Sequence, residues 1–177
     1  MDKTQIGVAR GAVSALSTAI VVFALAVTVV SRAWNLGPDL TSRIALASWA
    51  VLSPATTLLV CIARLASHRF FTPEDIHGSG LTGGTERAKL LQSLLQNTLE
   101  QCCLAIPVYL ATAILAPASL LPVVPTAAVM FLVGRGLFFV GYAQGAPSRA
   151  YGFALTFYPT LLLLVLLLVL GAFRATG

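Results

Sequence analysis

The 177-residue chain is 58% hydrophobic and only 10% charged, with a net charge of +5 and a mean hydropathy of +0.90, whereas an ordinary soluble domain is roughly 25% charged. That balance excludes a water-soluble globular domain and reads as an integral membrane protein. The basic charge comes without a stripe of interleaved aromatics, so no nucleic acid is expected as a partner.

The uncharged runs Gly11 to Ser31, Ile44 to Ala63 and Ala150 to Phe173 are each bounded by arginines. Each is long enough to cross roughly 30 Å of hydrocarbon as a helix. The first could imitate a secretory signal, because Lys3 and Arg10 precede it and "ALA" at 24–26 resembles a cleavage site. Its uncharged stretch exceeds the usual ~7–15 apolar residues of such a signal, which favours a retained span. The uncharged run Gln101 to Gly134 is too long for one crossing, and "APASLLPVVP" at 116–125 breaks it with three prolines. A third helix therefore ends near Ala116 and a fourth runs from about Leu120 to Tyr142, giving five in an all-α bundle.

Lys and Arg set the expected orientation. Lys3, Arg10, Arg64, Arg69, Arg87, Lys89 and Arg149 fall on one side and Arg32, Arg43 and Arg174 on the other, which predicts a cytoplasmic N-terminus and a cytoplasmic loop 64–89. In that loop "FFTPEDI" predicts a short helix with Thr72 as N-cap and Pro73 at N1, and the glycines of "HGSGLTGG" (78, 80, 83 and 84) end it. Thr85 is placed to cap the next helix. His68, His77, Glu74 and Asp75 lack metal-ligand spacing, so no metal is expected. Cys61, Cys102 and Cys103 lie inside predicted spans and form no disulfide framework. "GRGLFFVG" follows no strand and is no dinucleotide loop, and Pro159 is expected to kink the last helix.

The polar residues inside the spans carry the functional signal. Asn97, Glu100 and Gln101 stand at i, i+3, i+4 on the third helix, with Ser93 one turn earlier on the same face. A carboxylate facing lipid costs at least a few kcal/mol, so Glu100 should face something else. Arg135, Phe138, Phe139 and Tyr142 form a stripe on the fourth helix. Counted from the far side of the membrane, Glu100 and Arg135 both lie about 22 Å deep, which predicts an ion pair between them. Asn97, Gln101, Tyr142 and Arg149 gather toward the same boundary, more polarity than one pair requires.

"LQNTLEQ" at 95–101 and "RGLFFVGYAQGAPSRAYGFALTFYPTLLL" at 135–163 resemble the MAPEG family, the membrane-associated proteins in eicosanoid and glutathione metabolism. The resemblance covers roughly Ser42 to Phe173. It implies four transmembrane helices in residues 41–177, with residues 1–40 adding a tail and one further helix as in a bacterial-type, inner-membrane member. It also implies a homotrimer that binds glutathione between subunits near the cytoplasmic face. The family's N-x-x-E falls on Asn97 and Glu100, its R-x-x-Y-x-x-G-Y pattern on Arg135, Phe138, Gly141 and Tyr142, and its thiolate-stabilising arginine on Arg149.

The resemblance thus makes Arg149 and Tyr142 catalytic candidates and Asn97, Glu100, Gln101, Arg135 and Ser93 glutathione-binding ones. The expected activity is a transferase or peroxidase attacking a lipophilic electrophile with the glutathione thiolate. Ser93 stands where the family carries arginine, Phe138 where it carries tyrosine, and Gln101 where some members carry tyrosine. These departures support the competing expectation, a non-catalytic scaffold or lipid-binding protein whose polar cluster stabilises helix packing. A transporter would call for an inverted repeat and paired broken helices, which the chain lacks.

Overall fold

The computed structural model describes residues 2–30, 39–78 and 83–176. Ser31, Arg32 and Gly80, which entered the topology and loop expectations, lie outside the described residues. Among these residues the elements are α1 (Lys3–Leu25, continued by a π-helical turn at Ala26–Val30), α2 (Leu40–Phe71), α3 (Glu86–Leu115), α4 (Val123–Gly141) and α5 (Ala146–Thr176). All five regions are long and apolar enough to cross a membrane. The helices outrun the uncharged runs. Intrahelical hydrogen bonding does not stop where charge begins, so α1 starts eight residues before Gly11 and α2 ends eight after Ala63.

Helix ends follow local chemistry. Asp2 and Gln5 form a reciprocal capping box at the start of α1, and Asp39 accepts from the Ser42 amide at the start of α2. Thr85 caps α3, accepting from Ala88 N at 3.2 Å. The expected cap at Thr72 is not made. Pro73–Asp75 is a single 3₁₀ turn without a side-chain cap, because Thr72 Oγ1 turns back to His68 Nδ1 at 3.5 Å. Pro159 is buried inside α5.

α2 packs mainly on α3, α4 on α5, and α1 on α5. Tyr109, Val124, Phe131 and Leu163 build the central core, where the Tyr109 hydroxyl donates to the Ala127 carbonyl at 3.1 Å. The outer face is apolar, with Trp49 74% exposed and Val140 72%, as lipid contact requires. The α4–α5 crossing depends on Gly134 and Gly152. A Cβ on Gly134 would stand 2.9 Å from the Gly152 carbonyl oxygen, and one on Gly152 would collide with the Phe138 amide. Small residues let membrane helices approach this closely, and the crossing holds the ends of α4 and α5 together.

The two ends of the bundle differ. At the end away from the 72–85 connection, Arg43 donates to the carbonyls of Ala113, Ile114 and Ala116 at 3.1, 3.2 and 2.7 Å. Arg174 donates to Leu115 O at 2.9 Å. These arginines satisfy carbonyls that the end of α3 leaves without intrahelical donors and oppose its negative dipole end. The loop end carries Asn97, Tyr142 and Arg149.

Candidate functional site

From the loop end to the middle of α3, the residues turned into the bundle include Leu94, Thr98, Gln101, Cys102 and Ala105. Arg135 of α4 meets this face and is 0% exposed. Its Nη1 donates to Asn97 Oδ1 at 2.9 Å and its Nη2 to Thr98 Oγ1 at 2.7 Å. The Thr98 hydroxyl in turn donates to Leu94 O at 2.7 Å. The guanidinium carbon lies 4.1 Å from the Phe138 ring centroid and 5.3 Å from that of Phe139, positions in which a cation is attracted by the ring faces. The charge is therefore compensated by neutral oxygens and rings, and Nε has no hydrogen-bond partner among the described residues.

The expected Glu100–Arg135 ion pair is not formed. Glu100 is exposed and accepts from Gln96 Nε2 at 3.0 Å. Depth alone predicted the pair, but rotation about α3 decides it: Thr98 points to α4, and Glu100, about 200° further round the helix, points away. Gln101 is buried in the bundle. Ser93 is exposed, and its hydroxyl donates to Lys89 O at 2.9 Å within its own helix.

Asn97, Tyr142 and Arg149 do come together. They line a cavity of about 330 Å³ with Phe138, Phe153 and Val8. Tyr142 begins the 3₁₀ turn Tyr142–Gln144, and Gly145, at φ +102°, reverses the chain into α5. Glycine adopts that conformation without a Cβ clash. Arg149 follows in the first turn of α5, its guanidinium carbon 4.3 Å from the Tyr142 ring centroid. Neither the Tyr142 hydroxyl nor the Arg149 guanidinium makes a hydrogen bond among the described residues, so both have donors to offer. A second cleft of about 350 Å³ between α2 and α4 is lined mainly by apolar residues such as Trp49, Pro125 and Leu132. Convergent polar groups on an apolar cavity mark the first as the better candidate.

Thr98 and Val8 were not singled out from the sequence. Thr98 had a faint signal, a hydroxyl beside Asn97 within the polar stretch from Gln96 to Gln101. Val8 had none, because nothing local indicates that α1 reaches the cavity.

The loop is held by its own buried carboxylate. Asp75, 2% exposed, accepts from the Thr85 hydroxyl at 2.6 Å and the Thr85 amide at 2.8 Å, and lies 2.9 Å from His68 Nε2. The Thr85 hydroxyl and amide, and then His68, hold the Asp75 carboxyl below its ordinary range. Among the described residues no group of three or more His, Cys, Asp or Glu could hold a metal ion.

No curated protein and no solved structure matches the chain. The family model for MAPEG matches residues 42–169, which span α2 to most of α5 and include the Asn97, Tyr142 and Arg149 positions but not α1. The chain is an integral membrane helical bundle and belongs to the MAPEG family.

Proposed function

We propose that the protein is a glutathione-dependent transferase or peroxidase that attacks a lipophilic electrophile with the glutathione thiolate. The observation that carries this reading is the meeting of Arg149, Tyr142 and Asn97 on one 330 Å³ cavity. Arg149 sits at the positive end of the α5 dipole, and a cation there favours the ionised thiol, the form that attacks. In conjugation the sulfur lone pair forms a C–S bond while the leaving group departs with its bonding electrons. In peroxide reduction the thiolate attacks one peroxide oxygen and the O–O bond breaks. The alkoxide takes a proton, and a second glutathione converts the sulfenic acid to disulfide and water. Tyr142 has a free hydroxyl to donate to the developing anion in either reaction.

Asn97 takes a more defined role than its position in the sequence suggests. With Oδ1 engaged by Arg135, its amide NH₂ remains for the cavity, suiting it to donate to a peptide carbonyl or carboxylate. Arg135 acts as a positioning residue behind it. The proposal includes a homotrimer in a bacterial inner membrane, with the loop end in the cytoplasm and the co-substrate arriving from the bilayer. In the trimer, the exposed Glu100 and Ser93 would complete the glutathione site, whereas Gln101, expected there from the sequence, is turned into its own bundle.

Calorimetric titration of the purified protein with millimolar glutathione, with thiolate absorbance followed in parallel, tests this reading. Saturable binding with a thiolate signal is expected; absence of binding overturns it. The second reading, a non-catalytic scaffold, is favoured by the enclosure of Arg135 against Asn97 and Thr98, whose hydrogen bonds join α4 to α3. It predicts that removing Arg149 changes neither lipid nor glutathione binding.

A further inference from the structure

We propose that α1 is a wall of the candidate site and that Val8 determines which apolar group can accompany the polar end of the bound molecule. The proposal rests on the glutathione reading and extends it to the co-substrate. The family match begins at residue 42, yet Val8 lines the cavity beside Tyr142, Arg149 and Phe153.

The placement of α1 is tightly specified. A Cβ on Gly7 would stand 2.9 Å from Pro147 Cβ, and one on Gly11 would stand 3.0 Å from both Ala150 Cβ and the Tyr151 amide nitrogen. Ala15 and Ala19 continue the row at four-residue steps and are 0% exposed. Thr18 Oγ1 lies 3.2 Å from the Tyr151 hydroxyl. The successive contacts run in the same direction along both helices, so α1 and α5 are parallel. Residue 8 lies between the Gly7 and Gly11 contacts, and Arg149 lies between Pro147 and Ala150. The same contacts therefore set the position of Val8 relative to the guanidinium. Close glycine packing also resists sliding of one helix along the other, which makes α1 a fixed wall.

The cavity presents donors from Asn97, Tyr142 and Arg149 and apolar surface from Val8, Phe138 and Phe153. It suits an anionic or acceptor-bearing head joined to an apolar group. Val8 limits the apolar part: a larger side chain fills that space and a smaller one opens it.

The test uses the full chain, titrated calorimetrically with S-methyl, S-hexyl and S-benzyl glutathione. Wild type is expected to bind the S-hexyl compound more tightly than the S-methyl one. Val8→Trp should reduce S-hexyl affinity at least tenfold more than S-methyl affinity. Val8→Ala, a change an α-helix accepts readily, should raise S-benzyl affinity relative to S-methyl about threefold. Gly11→Leu, which must displace α1 from Ala150 and Tyr151, should abolish the S-hexyl preference while helicity by circular dichroism is retained. Unchanged affinity ratios in Val8→Ala and Gly11→Leu overturn the proposal and leave the glutathione reading standing. Failure of wild type to bind any of the three compounds overturns both.

Discussion

Arg135 and Arg149 sit at opposite limits of what a guanidinium does near a membrane. Arg135 is sealed inside the α3–α4 crossing, with Asn97, Thr98 and two phenyl rings around it. Arg149 stacks on Tyr142 at a cavity and has donors to spare. In a low-dielectric interior an enclosed cation needs its surroundings to remain stable, whereas one facing a cavity can act on a ligand. Position in the sequence does not separate these roles; the groups each guanidinium meets do.

The strongest way to break this comparison is Arg149→Ala. A loss of about 10²–10³-fold in turnover is expected, the order seen when a donor to developing charge is removed, with little change in thermal stability. Wild-type turnover from that variant would remove Arg149 from the chemistry. Thr98→Val addresses the other arginine. Leaving a buried guanidinium donor unpaired should cost about 1–3 kcal/mol, measured by denaturation in detergent. Adding Arg135→Met should recover part of that loss, since an apolar side chain needs no partner; a further fall would show that the charge itself stabilises the crossing.

A smaller effect is expected for Glu100→Gln combined with Arg135→Met in a double-mutant cycle. Without contact between the two groups, coupling should stay within about 0.5 kcal/mol. Coupling above 1 kcal/mol would mean that the pair forms in the assembled protein. The smallest effect concerns the loop. The Asp75 carboxyl is held below its ordinary value of 3.8, so its contribution is complete above that pH and is lost as pH falls through the lower, folded value. The protection factor of the Thr85 amide, its exchange rate relative to the intrinsic rate at each pH, should therefore be unchanged at pH 5 and should fall only below 3.8. A protection factor already reduced at pH 5 would place control of the loop in another group.

Much of the scaffold was legible before any packing was known. Apolar runs bounded by arginines located three spans, prolines 117, 122 and 125 divided the longest run into two more, and Thr85 marked the start of α3. Asn97, Tyr142 and Arg149 were legible too, as polar residues grouped toward one boundary. Glu100 was misleading because residues three apart share a helix face only broadly, and a rotation of that size decides between a partner and an exposed position. Thr72 was misread because its hydroxyl had a competing neighbour in His68.

The sequence by itself determined the class of the protein, since 58% hydrophobic content in runs of membrane length has few other solutions. It also carried the resemblance to a family whose model matches residues 42–169. Only the tertiary structure decided that Arg135 belongs to Asn97 and Thr98, that Glu100 faces outward, and that Val8 borders the cavity. Hydropathy records how deep a residue can lie along its helix. Which partner it meets depends on rotation and crossing, here set by the glycine contacts of α4 with α5 and of α1 with α5.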